Sequence, residues 1–199
     1  MKLIGITQRV DIHPTYGERR DALDQRWYQF FLYCGFIPIL IPNCIKTCRA
    51  LLARVQLDGF VFTGGNSPMH YAGDAPERDD VEAFLIEHCE TVGLPILGVC
   101  RGMQMIQLHY GGSLDCIKGH VNKIIEIKTD EEQLPRFVNS YHTLGTTITK
   151  KPLLTKAKSS DNIVKAIEHS HYSIFGIMWH PERNTPYCDE DIQLFKDIF

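Results

Sequence analysis

The sequence predicts an α/β fold: a central, mostly parallel sheet with helices on both faces and a small antiparallel extension. Three observations carry this. Short apolar runs alternate with amphipathic stretches as far as residue 112. Those runs are nearly continuous in apolar residues, as strands covered on both faces must be. Beyond residue 112 the strand-like segments are shorter and more polar, which suits antiparallel strands with one wet face.

Lys2 to Thr7 reads as the first strand. Trp27, Phe30, Phe31 and Cys34 recur at helical spacing, so Arg20 to Cys34 is expected to be a helix. Ile37 to Ile41 is a strand stopped by Pro42, and Thr47 to Val55 a helix. Gly59 to Phe62 is the next strand, running into Thr63-Gly64-Gly65. Asp79 to Val92 places Val81, Phe84, Leu85 and Cys89 on one helical face. Pro95 to Val99 is a buried strand, and Arg101 to Tyr110 a helix closed by Gly111-Gly112. Ile124 to Lys128 and Ile163 to Glu168 form the polar extension, and Ile174 to Met178 returns to the core. Ile192, Phe195 and Ile198 mark a docking helix over Asp189 to Phe199.

With 199 residues, 44% of them hydrophobic and 23% charged, the chain reads as a single domain, 1–199, able to bury a substantial core. Twenty-one Lys+Arg against 24 Asp+Glu give a net charge of −3, which does not suggest a nucleic-acid partner. No apolar run reaches the ~18 residues of a membrane span, and the N-terminus turns polar too soon for a signal peptide. The seven cysteines, at 34, 44, 48, 89, 100, 116 and 188, are odd in number and scattered, so free thiols and a cytoplasmic location are expected. Cys44 and Cys48 lack partner ligands, and no spacing suggests a metal site or a cofactor.

In such folds, function sits at the C-terminal ends of the parallel strands. There, Leu97-Gly98-Val99-Cys100-Arg101-Gly102-Met103-Gln104 places Cys100 between a strand and a helix, with glycine two residues away on each side. This is a nucleophile elbow with cysteine in the serine position. The helix N-terminus favours a thiolate, and the Arg101 N–H follows the nucleophile as an oxyanion donor would. A second strand end carries Trp179-His180-Pro181-Glu182. Proline keeps His180 extended, so His180 and Glu182 are expected to face one side as a base and its orienter. Taken singly, the first motif also suits a buried cysteine among packing glycines, and the second a surface turn. Their joint occurrence at two strand ends favours chemistry.

These motifs resemble the class I glutamine amidotransferase superfamily. Thr63-Gly64-Gly65-Asn66-Ser67-Pro68, Arg78-Asp79-Asp80-Val81-Glu82 and Val138-Asn139-Ser140-Tyr141-His142 are similar to its γ-glutamyl hydrolase, or peptidase C26, branch. The resemblance implies a flavodoxin-like three-layer fold and a γ-glutamyl thioester on Cys100. It implies that the Gly65 N–H joins that of Arg101 in the oxyanion hole. Gln104 would lie along the glutamyl group, and the Ser140-Tyr141-His142 backbone would help hold its α-carboxylate. Gly64 and Asn66 would sit beside the hole, with Asn66 contacting the glutamyl part or the leaving group. The glycine loop reaches its proline sooner than in many such hydrolases, and that difference falls where the leaving group is read.

The expected activity is hydrolysis of a γ-glutamyl amide or phosphoramidate, with a small-molecule substrate, no cofactor and no metal. Arg19 and Arg20, after the first strand, are candidates for contacting phosphates of a nucleotide leaving group; a solvated helix start with Arg/Asp pairs is the alternative. Other readings are a γ-glutamyl-γ-aminobutyrate hydrolase, a glutaminase subunit feeding a synthase partner, and a thiol sensor without enzymatic activity. The length leaves no room for a fused synthase, and a sensor has no need of a general base.

Overall fold

A computed structural model describes all residues, 1–199. Five parallel strands form half of its main sheet: β1 (Lys2–Thr7), β4 (Phe36–Ile41), β5 (Gly59–Phe62), β6 (Ile96–Val99) and β13 (Ile174–Ile177). Four more extend it: β8 (Val121–Thr129), β9 (Phe137–Tyr141), β11 (Leu153–Ser159) and β12 (Val164–His169). The order is β4-β1-β5-β6-β13-β12-β11-β8-β9 in one nine-stranded sheet. Pairing is parallel from β4 through β13 and antiparallel from there on. The polar segments after residue 112 therefore continue the main sheet itself.

Side-chain alternation splits the core in two. Ile4, Ile6, Val61, Leu97 and Val99 face α1 (Arg26–Cys34) and α5 (Asp189–Ile198), where Trp27, Phe30, Phe31 and Phe195 meet them. Phe60, Phe62 and Ile96 face the other way, toward α2 (Ile45–Leu52), α3 (Pro76–Val92) and α4 (Arg101–His109), against Cys48, Val81, Leu85, Cys89 and Met103. No helix is long and apolar enough to cross a membrane.

The segment before α1 corrects an expectation. The helix expected from Arg20 begins at Arg26. Residues upstream form a two-stranded hairpin of β2 (Arg9–Ile12) and β3 (Arg19–Ala22), with Arg20 opposite Asp11. Apolar periodicity exists only from Trp27 onward, and Asp24 stops the hairpin by accepting the Arg26 backbone N–H at 3.1 Å. The short pair β7 (Asp115–Cys116) and β10 (Leu144–Gly145), like β9 and β11, was not foreseen. These strands lack a continuous apolar run.

Candidate active site

The turn after β6 is built for crowding. Cys100 has φ 53° and ψ −104°, a strained backbone for a residue with a Cβ. A Cβ on Gly102 would lie 2.2 Å from the Phe62 carbonyl oxygen, and one on Gly98 would lie 2.6 Å from the Gly102 carbonyl carbon. Only glycine lets α4 start this close to β5 and β6. The Cys100 N–H donates to Ile177 O at 2.7 Å, which ties the elbow to β13.

His180 follows β13 with an extended backbone, and Pro181–Arg183 close into a 3₁₀ turn. That turn, rather than a continued extended chain, brings Glu182 Oε1 to 2.8 Å from His180 Nδ1. Both side chains are buried. Asn139 on β9 clamps the histidine backbone from across the sheet, accepting from His180 N at 2.8 Å and donating to His180 O at 2.7 Å.

Burial alone would raise the Cys100 thiol; the charge and hydrogen bond of His180 outweigh it, helped by Arg183 and the Arg101 N–H, and leave it below its ordinary value. Burial works to lower His180, but Glu182 and the Cys100 thiolate raise it to about 9. The two shifts describe one thiolate–imidazolium pair, oriented by a carboxylate.

The glycine loop after β5 is held by a buried ion network. Arg78 donates to the carbonyls of Thr63 at 2.6 Å, Gly64 at 3.0 Å and Gly65 at 2.7 Å. A trans peptide points its N–H opposite its C=O. With the Gly64 carbonyl turned to Arg78, the Gly65 N–H faces away from it. Arg78 is itself paired with Glu82 at 3.0 Å, and Glu82 also accepts from Arg101, which reaches Asp79 as well. The segment Arg78 to Glu82 is thus an internal brace. It joins the loop bearing Gly65 to the helix bearing the Arg101 N–H.

Other expected contacts are placed differently. The Asn66 side chain is committed to Val10, at 2.8 and 2.9 Å, and to Asp74 at 3.0 Å, so it pins the hairpin to the glycine loop instead of facing a leaving group. Arg19 binds Glu77 at 2.6 Å and the Asp74 carbonyl at 2.7 Å; Arg20 binds Glu18 at 2.6 Å and Tyr16 at 3.2 Å. Both arginines are spent within the hairpin and its neighbours. Gln104 donates to Leu144 O at 3.0 Å, and His142 Nδ1 lies 2.9 Å from the same oxygen. Ser140 and His142 are buried, while the Tyr141 ring stands 5.8 Å from that of His180.

A cavity of about 80 Å³ opens beside Gly64, Gly65 and His180, and Arg9, Asp24 and Arg183 line it. Arg183 stacks over Tyr141 at 4.6 Å and lies 3.4 Å from Glu182, with its Nε making no hydrogen bond. Larger hollows lie elsewhere, one of them about 730 Å³ along β8 and β11, but they contain none of these groups. Arg9 and Arg183 lie outside every motif read from the sequence, and Asn139, inside the Val138-to-His142 motif, was given no role there. Arg183 abuts the His-Pro-Glu motif and was within reach of it, whereas Arg9 gave no local signal.

The fold is that of glutamine amidotransferase-like α/β proteins. A putative GMP synthase subunit from Thermoplasma acidophilum superposes with a TM-score of 0.73 at 21% identity, covering 100% of this chain and 93% of the other. A glutamine amidotransferase from Thermotoga maritima gives 0.68 at 17% identity, covering 98% and 83%. The chain belongs to the peptidase C26 family, whose model matches residues 2–134 and 118–182. Among curated relatives, a γ-glutamyl-CDP-amidate hydrolase of Campylobacter jejuni subsp. jejuni serotype O:2 is 30% identical over 98% of this chain and 96% of its own length. A γ-glutamyl-γ-aminobutyrate hydrolase of Escherichia coli O157:H7 is 26% identical over 85% and 82%.

Proposed function

We propose that the chain hydrolyses a γ-glutamyl–nitrogen bond and releases glutamate, with Cys100 as nucleophile. One observation carries this reading: the Cys100 thiol is depressed by His180, which Glu182 holds at 2.8 Å, beside a loop whose Gly64 carbonyl is turned away. The thiolate attacks the γ-carbonyl carbon, and its C=O electrons move onto oxygen. The N–H groups of Gly65 and Arg101 stabilise that oxyanion. His180 gives its proton to the leaving nitrogen, the C–N bond breaks, and a γ-glutamyl thioester remains. His180 then takes a proton from water, which attacks the thioester and frees glutamate and the thiolate. Glu182 holds the imidazole throughout.

Among γ-glutamyl compounds, the leaving group we favour is anionic, as in a nucleotide phosphoramidate such as γ-glutamyl-CDP-amidate. Arg9 and Arg183 on the cavity beside Gly65 and His180 support it. A capsule-building role and a reducing, cytoplasmic setting for the free thiol belong to the same proposal. The second reading is a glutaminase subunit, favoured by the fold neighbours named for glutamine chemistry. The test is glutamate release by the purified chain from γ-glutamyl-γ-aminobutyrate, a γ-glutamyl nucleotide phosphoramidate and glutamine. Release from a conjugate, abolished in Cys100→Ala at unchanged thermal stability, is the expected result. Normal turnover in Cys100→Ala overturns the mechanism, and turnover of glutamine alone favours the second reading.

A further inference from the structure

Lys165 on β12 is fully buried and no carboxylate lies within ion-pair distance of it. Its Nζ donates to His142 Nε2 at 2.8 Å, His120 Nδ1 at 2.9 Å and Ser140 Oγ at 3.1 Å. The tautomers follow from the other ring nitrogens. His142 Nδ1 faces Leu144 O at 2.9 Å, and His120 Nε2 faces Asp161 at 2.9 Å, so each of those nitrogens carries a proton. All three ammonium protons therefore go to neutral acceptors. The nearest carboxylate along this network, Asp161, is one imidazole removed and half exposed.

A buried cation without a counter-charge is costly, and an anion delivered nearby offsets that cost. Lys165 lies next to the site: Ser140, which it reaches, stands between Asn139, which clamps the His180 backbone, and Tyr141, whose ring is 5.8 Å from that of His180. Lys165 adjoins Ala166, which pairs with Ile177, the residue that accepts the Cys100 N–H. Burial pushes the Lys165 ammonium down to about 8, and the charges of Cys100 and Asp161 work against that fall. His142, which Lys165 holds at 2.8 Å, shares the Leu144 oxygen with Gln104, one turn beyond Cys100.

We propose that the Lys165 ammonium is the fixed cation on the acyl side of the site, a specificity-determining residue that selects substrates carrying a carboxylate on the acyl group. On the γ-glutamyl reading, on which that identity rests, this is the glutamyl α-carboxylate. Through His142 and Leu144 the same residue positions Gln104.

The test compares alkylation of Cys100 by iodoacetate, an anion, and iodoacetamide, its neutral analogue, in the wild type, Lys165→Met, Lys165→Gln and Lys165→Arg. The iodoacetate-to-iodoacetamide rate ratio should fall about tenfold in the two neutral variants and hold in Lys165→Arg. The iodoacetamide rate reports an intact nucleophile in each, and Lys165→Gln serves if Lys165→Met does not fold. For γ-glutamyl turnover the loss should lie mainly in KM. A ratio equal to wild type in both neutral variants overturns the proposal. A fallen ratio with no γ-glutamyl turnover by the wild type upholds the cation and removes the γ-glutamyl reading. An active γ-glutamyl hydrolase whose ratio and KM ignore Lys165→Met does the reverse.

Discussion

A Cβ placed on Gly64 would lie 2.6 Å from Cε1 of His180 and 3.6 Å from the Cβ of Cys100. The glycine loop and the histidine are therefore in direct steric register, and the imidazole has no slack on that side. His180 is held from behind by Glu182 and through its backbone by Asn139. Gly64→Ala should displace the ring and not unfold the chain. We expect kcat/KM to fall about 10²-fold, the usual effect of a misplacement near 1 Å. Stability should drop by only ~1–3 kcal/mol. Steady-state kinetics beside urea denaturation check this, and unchanged kinetics would show that the contact is relieved elsewhere.

The Cys100–His180 pair sets a pH window. Activity needs the thiolate, which the pair keeps below the ordinary thiol range, and the imidazolium, which persists to about 9. The profile should rise on the acid side as Cys100 ionises and fall on the alkaline side near 9. Glu182→Gln removes the carboxylate charge that raises His180. Its alkaline limb should move to lower pH. In the wild type, the raised His180 also stabilises the fold. That contribution is complete below the unfolded value of 6.5 and is lost as pH rises through about 9. An alkaline limb that ignores Glu182→Gln would remove Glu182 as the orienter.

Glu82 joins two buried arginines. It accepts from Arg78 at 3.0 Å, from Thr7 Oγ1 at 2.9 Å and from Arg101. Glu82→Gln leaves the Arg101 guanidinium with Asp79 alone and the Arg78 guanidinium with no carboxylate partner. Breaking a buried pair from one side typically costs ~3–5 kcal/mol. The midpoint of urea unfolding should shift accordingly. Arg78→Lys should lower kcat more than stability, because lysine cannot span the three loop carbonyls that Arg78 gathers.

The leaving-group side separates two sets of arginines. Arg9→Ala and Arg183→Ala should each raise KM about tenfold for a phosphoramidate nucleotide conjugate, and much less for a γ-glutamyl amine with an uncharged leaving group. Arg19→Ala and Arg20→Ala should leave both substrates nearly unchanged, since those side chains, paired with Glu77 and Glu18, lie off the cavity that Arg9, itself paired with Asp11 at 2.7 Å, and Arg183 line. Equal losses on both substrates would indicate that Arg9 and Arg183 act on the fold or the acyl group.

What the sequence determined by itself is whatever rests on residues close together in the chain. The parallel half of the sheet was legible because each strand carries its own apolar run. The elbow was legible because Gly98, Cys100 and Gly102 must stand two apart for the turn to close. His180 and Glu182 were legible for the same reason. Tertiary structure decided what depends on distant segments meeting. Asn66 is an acceptor and donor for Val10, 56 residues away, and so is not free for substrate. Arg20 looked like a helix start until strand β2 paired with it. Lys165 carries no motif around it. Its meaning comes from His120, Ser140 and His142, brought to one ammonium by the antiparallel extension of the sheet. Local spacing specifies turns and periodic faces, whereas the balance of a buried charge is set by every group that surrounds it, and only the folded chain fixes that set.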